Sequence, residues 1–171
     1  MENFTNETID TKALPRFEAV QLSPIDPKYW RVILISIFGF FLLGIAIMVT
    51  LFFLVEEEIE YKPLIFSAFA AVLMIALLLS RISFKKKAYA FRNHDVIFRS
   101  GIIATNTMVI PYNRVQHVAL HEGFIARFFG LAKVEIFTAG GVSSDLEIPG
   151  IAKEEAENIK QLLMGKIQKQ L

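Results

Sequence analysis

The sequence predicts a membrane protein with a hairpin of two transmembrane helices near its N-terminus. An α+β domain follows, with six or seven short strands capped by a C-terminal helix. Three observations predict this. Two charge-free apolar runs lie close together between Arg31 and Arg81. Lys and Arg flank the outer ends of both runs, whereas the loop joining them is acidic. After Lys87 the apolar pattern changes from a helical to a strand-like period, and it becomes helical again only from Ala152.

The first run, Val32–Val55, holds 24 residues without a charge. As a helix it is ~36 Å long, enough to cross a ~30 Å hydrocarbon core with some tilt. The second, Leu64–Ser80, holds 17 uncharged residues. It is ~26 Å long, and Ile82 and Phe84 extend it when Arg81 snorkels toward the headgroups. The expected spans are therefore 32–55 and 63–84, joined by a loop over 56–62. A soluble core cannot hide both runs, because only about 90 residues follow Arg81. A signal peptide is also a poor reading of the first run. It begins 30 residues in and ends on Glu56-Glu57-Glu58 rather than on small residues.

Orientation follows from the flanks. Lys28 and Arg31 precede the first span, and Arg81, Lys85, Lys86 and Lys87 follow the second. The loop Glu56–Lys62 carries four acids and one base. The positive-inside rule places both termini in the cytoplasm and the loop outside. This makes residues 1–31 a cytoplasmic N-terminal segment and 85–171 a cytoplasmic domain on the cell membrane. Tyr29, Trp30 and Tyr61 stand where interfacial aromatics are expected. The stretch Leu14–Pro27 contains three prolines and is read as extended. The sequons at Asn3 and Asn6 are short enough to arise by chance.

In the domain, Ala88–Arg92 and Asp95–Ser100 read as strands joined by a turn at Asn93-His94. Thr107–Tyr112 and Val115–His121 alternate as half-buried strands. Glu122–Phe129 has the spacing of a short helical turn. It is read as core rather than as a membrane wedge, with Phe129 buried between sheet and helix. Lys133–Ala139 is a strand stopped by Gly140-Gly141, and Leu146–Ile148 one closed by Pro149-Gly150. From Ala152 the chain reads as an amphipathic helix. Ala152, Ala156, Ile159, Leu163 and Ile167 share one face, acids lie at its start and lysines at its end.

Chemistry-bearing patterns are sparse. The chain has no cysteine, which excludes disulfides, thiolate metal sites and cysteine nucleophiles. No phosphate loop or Gly-x-Ser-x-Gly elbow is present. His117 and His121 are four apart, but on a strand that spacing separates them by ~13 Å, too far to share an ion. Neither apolar run contains a charge, so nothing marks an ion path. No catalytic residue, metal, cofactor, nucleic acid or small-molecule substrate is expected.

Several local runs resemble one family. These are Arg99-Ser100-Gly101, the stretch Ile110–Val118 (IPYNRVQHV), Gly123–Ala132 (GFIARFFGLA), the strand Val134–Gly140, and Pro149-Gly150-Ile151. They resemble the bacterial membrane-anchored pleckstrin-homology (PH)-like domains of the YdbS/YdbT type, with Glu122 where that family often has Gln. The likeness covers about residues 88–164, and the preceding helix pair resembles the short YdbS-like architecture. It implies a curled antiparallel sheet capped by one helix, held at a membrane. It does not imply phosphoinositide binding.

The leading expectation is a non-enzymatic scaffold that binds a protein partner, either a larger multi-domain family member or its own copies. Tyr112, Arg114 and Gln116 form the candidate interaction edge, with bracing of the barrel as the structural alternative for Tyr112 and Arg114. Lys85, Lys86 and Lys87 form a candidate cluster facing membrane lipid, worth roughly 1 kcal/mol per charge against anionic headgroups. The alternative function is an anionic-lipid or envelope-stress sensor contributing to resistance to membrane-active agents. The pairs Ser67/Ala71 and Ala76/Ser80 offer close helix packing, within the hairpin or across a dimer.

Overall fold

A computed structural model describes Thr8, Asp10 and residues 19–54, 61–139 and 145–168. The sequon asparagines, most of the Leu14–Pro27 stretch's N-terminal half, the loop acids Glu56–Glu60 and the Gly140-Gly141 turn lie outside the described residues. The elements run β1 (Ser23–Pro24), α1 (Tyr29–Leu54), α2 (Lys62–Lys86), β2 (Ala88–Phe91), β3 (Asp95–Ser100) and β4 (Asn106–Pro111). They continue with a 3-10 turn (Tyr112–Arg114), β5 (Val115–His121), α3 (Phe124–Phe128), β6 (Leu131–Thr138), β7 (Leu146–Ala152) and α4 (Lys153–Gln168).

Both α1 and α2 are long and apolar enough to cross a membrane. Only Val32 and Phe41 of α1 are buried, and no residue of α2 is. Apolar side chains left outward over this length have a solvent only in lipid. Pro63 stands in the first turn of α2, where its missing N–H costs nothing, and Lys85 and Lys86 stand in the last, where they oppose the negative helix end. The helices touch where α1 is thinnest. A Cβ added at Gly44 would lie 2.9 Å from the Phe69 ring, and Phe41 meets the same ring at 4.9 Å. Phe52 and Phe66 meet nearer the loop, at 5.8 Å. Gly44 and Phe69 thus make the close approach within the hairpin, while Ser67 and Ala71 remain exposed.

The junction with the domain is built from aromatic and basic side chains. The Arg81 guanidinium lies 4.8 Å from the Trp30 ring and 5.7 Å from that of Phe84, and the two rings are 5.7 Å apart. This is the interfacial anchoring expected of Trp and of a snorkelling Arg.

The sheet is divided in two. One sheet has the order β1-β2-β3-β4 and the other β5-β6-β7, all neighbours antiparallel. Alternation sends Tyr89, Val96, Phe98 and Ile110 of the first into one core with Val118, Val134, Ile136 and Ile148 of the second. Ala156, Ile159 and Leu163 of α4 close that core, and Leu162 lies outside it. Each fully buried Ile or Leu here contributes roughly 1.5–3 kcal/mol. The Tyr89 hydroxyl, donating to Glu155 Oε1 at 2.8 Å, fastens β2 to α4.

Two bulges depart from the simple alternating reading. In β5 the pairing moves from Val115↔Thr138 to His117↔Phe137, leaving Gln116 as the extra residue. In β7 it moves from Ile151↔Ala132 to Ile148↔Val134, so Pro149 and Gly150 together face Lys133. Pro149-Gly150 therefore does not close the strand. Gly150, at φ +69°, absorbs the extra residue in a conformation open to glycine, and β7 runs on to Ala152.

The short helix α3 also departs from the sequence reading. Phe129 is only half-buried and lies outside the core, while Phe124 and Phe128 are 79% and 74% exposed. The helix rests on β6 and on the start of α1 rather than between sheet and α4.

Candidate interaction site

The three residues of the sequence-derived edge separate in space. Tyr112 is 2% exposed. Its hydroxyl donates to the Arg92 carbonyl at 2.6 Å and its N–H to that of His94 at 2.9 Å. Burial, then the nearby Asp95 carboxylate, push its pKa up to about 12. Tyr112 therefore braces the β2–β3 turn from within the core and cannot be a surface contact, which removes it from the candidate edge. The bracing reaches that turn and α4.

Arg114 and Gln116 are exposed. Arg114 is the last residue of the 3-10 turn, and its carbonyl accepts from Ala139 N–H at 3.3 Å. Its side chain borders a shallow hollow of about 430 Å³ with Met108, Val109, Ile110, Pro111, Thr138 and Asp145. Asp145 is held there by Thr138, whose hydroxyl and N–H both donate to its Oδ2. Those bonds, the hydroxyl first, lower its carboxyl pKa. Gln116 projects from the β5 bulge, a device that re-aims a side chain. Beside Arg114 runs β4, which among the described residues pairs with β3 alone, leaving its outer edge without a strand partner there. The sequence could not reveal that edge, because β4 and β5 read as consecutive strands of one sheet.

The basic cluster also divides. Lys85 and Lys86 are exposed at the end of α2, and Lys86 Nζ donates to the Ile102 carbonyl at 2.6 Å. With Arg99 and Thr105 they border a hollow of about 420 Å³. Arg99 Nε is buried there without a hydrogen-bond partner among the described residues. Sequence reasoning named Arg99 only within the Arg99-Ser100-Gly101 likeness and not as a site residue.

Lys87 turns the other way. Half-buried, it borders a cleft of about 740 Å³ between the start of α1 and the domain. Tyr29, Val32 and Ser36 of α1 form one wall, and Gly123, Phe124, Ile125 and Ala126 another. Phe98, Ser100, His121, Lys133 and Glu147 complete it. Burial lowers the Lys87 pKa. Lys133 is instead matched by Glu135 at 2.6 Å and Glu147 at 2.9 Å, and its pKa is raised, chiefly by the bond to Glu135. His117 stacks on Phe137 at 4.1 Å, while His121 borders the cleft.

Among the described residues, no group of His, Asp or Glu could hold a metal ion. What these surfaces offer is an open strand edge and a cleft at the foot of a membrane hairpin.

Comparison with known proteins agrees with that architecture. The sequence model of the family described as Bacterial PH domain matches residues 32–167. The UPF0699 transmembrane protein YdbS of Bacillus subtilis (strain 168) is 28% identical over 145 residues, which cover 82% of this chain and 87% of that protein. The UPF0699 transmembrane protein YdbT of the same organism is 27% identical over 123 residues, 70% of this chain but 25% of that longer protein. No solved structure matches the chain.

Proposed function

The chain belongs to the bacterial PH domain family, and from that premise we propose that it is a non-enzymatic scaffold, which holds a protein partner at the cytoplasmic face of the cell membrane. The observation that carries this reading is the open outer edge of β4, bordered by the exposed side chains of Val109, Arg114 and the hollow between them. An unpaired strand edge is a template for an added strand, in which main-chain hydrogen bonds give affinity and neighbouring side chains give specificity. The partner is a larger relative with several such domains or a second copy of this chain. The Lys/Arg flanks of α1 and α2 support an orientation with both termini inside and the Glu56–Lys62 loop outside.

The alternative, an anionic-lipid or envelope-stress sensor, draws support from Lys85 and Arg99, which border one hollow at the end of α2 and on β3, where Arg99 Nε finds no hydrogen-bond partner among the described residues. Recovery of partner from mild detergent separates the two. Under the scaffold reading, Val109→Lys and Arg114→Ala weaken recovery several-fold, because a lysine on the edge blocks strand addition. Lys85→Gln with Lys86→Gln leaves recovery unchanged. The opposite ordering sinks the scaffold reading.

A further inference from the structure

We propose that the cleft between the start of α1, α3 and Lys87 seats an anionic phospholipid drawn from the bilayer, its headgroup at Lys87 and its acyl chains along Val32 and Ser36. This goes beyond the scaffold reading and does not depend on it.

Position argues first. The wall Tyr29–Val32–Ser36 covers the first ~10 Å of a spanning helix at ~1.5 Å per residue. The cleft therefore straddles the headgroup layer and the outer hydrocarbon, and its side along α1 opens toward lipid. The lining is graded in the same direction. Lys87, Ser100 and His121 are polar, whereas Val32, Phe124 and Ile125 are apolar. That is the profile of an amphiphile, and about 740 Å³ lies within the range of ordinary ligand clefts.

Charge argues second. The cleft holds two lysines and one glutamate. Glu147 is bonded to Lys133, which Glu135 also neutralises. Lys87 has no carboxylate among the described residues, and a half-buried ammonium without a counter-ion is costly. A phosphodiester supplies that missing charge. The burial-driven lowering of the Lys87 pKa agrees with an ammonium awaiting an anion.

The exposed face of α3 argues third. Phe124 and Phe128 meet edge to face at 5.3 Å, with Arg127 exposed on the same short helix. A helix with this composition, resting on the start of a membrane span, dips its aromatic rings into the interface and forms the rim of the cleft.

The test uses the full chain, incubated in mild detergent with equal amounts of phosphatidylglycerol and phosphatidylethanolamine, washed, and analysed for retained lipid. The wild type retains stoichiometric phosphatidylglycerol in preference to phosphatidylethanolamine. Lys87→Gln lowers that retention roughly fivefold, the value of one basic residue near the surface. Lys85→Gln with Lys86→Gln leaves it intact. Gly123→Leu supplies an independent variant: a Cβ there meets only Ala126 Cβ at 4.0 Å, Gly123 lines the cleft, and with unfolding checked by Tm, retained lipid falls. Equal retention of both lipids, indifference to Lys87→Gln, or a loss in the Lys85/Lys86 variant as large as in Lys87→Gln would each overturn the proposal. So would thermal stabilisation by inorganic phosphate equal to that by phosphatidylglycerol, since the site would then take a free anion.

Discussion

Replacing Gly150 by Ala tests how rigidly the hairpin is joined to the domain. Gly150 has φ +69°, and a Cβ there would lie 2.6 Å from Tyr29 Cγ and 2.7 Å from Tyr29 Cβ. Its carbonyl also accepts from Asp26 N–H at 2.8 Å, three residues before α1 begins. Two costs add. The left-handed conformation costs an L-residue roughly 1–2 kcal/mol. Displacing a packed aromatic adds about 1–3 kcal/mol of overpacking. The sum, about 2–5 kcal/mol, is a large share of the stability of one small domain. Gly130 provides the control: its φ is +66°, but an added Cβ meets nothing within 4 Å, so Gly130→Ala carries only the conformational cost. Thermal unfolding of the full chain in detergent should show Gly150→Ala as the worse variant by about the overpacking amount. The single tryptophan, Trp30, stands next to Tyr29 and should change its emission in Gly150→Ala alone. Adding Tyr29→Ala should recover part of the loss. Equal effects of the two glycine changes, or no recovery, would refute the reasoning.

Other consequences can be checked in the same way. Leu163→Ala, at a fully buried position on α4, should cost ~2–5 kcal/mol, whereas Phe124→Ala and Phe128→Ala should leave the Tm of the detergent-solubilised chain nearly unchanged, because those rings are exposed. Asp145 has a lowered pKa from the Thr138 bonds, so its contribution is complete above the ordinary carboxyl value and is lost as pH falls through the lowered one. An acid-unfolding titration should accordingly show Asp145→Asn to be less stable than wild type near neutrality, with the gap closing at the acid end. Cysteines placed at positions 58 and 169 should label oppositely with an impermeant reagent on intact cells, the former accessible and the latter protected.

Much of the architecture was legible because it follows from local patterns. The charge-free runs between Arg31 and Arg81 mark both spans, and the observed helices only extend them into their interfacial flanks. The bounds read for β3 and β5 are the observed ones, since alternation and the Asn93-His94 turn define them. The buried stripe of α4 follows directly from its helical period. What escaped depends on partners distant in sequence. Pro149-Gly150 has the composition of a turn, and only the pairing with Lys133 makes it a bulge. The spacing of Phe124 and Phe128 is the same for a core helix and for one facing lipid, so the sequence misplaced Phe129 in the core. In sequence Tyr112 admits both an edge and a bracing reading, because the 3-10 turn that rotates it inward has no strong signature. Lys85, Lys86 and Lys87 form one run in sequence but face two different hollows, because the helix ends and the strand begins there.

Hydrogen exchange at the amides of residues 106–110, compared between native membrane vesicles and the purified full chain, tests the scaffold account most directly. An added strand satisfies the outward N–H groups of β4, so the account predicts stronger protection in the membrane than after purification, and loss of that difference in Val109→Lys. Equal exchange in the two settings, with β3 protected in both, would contradict it.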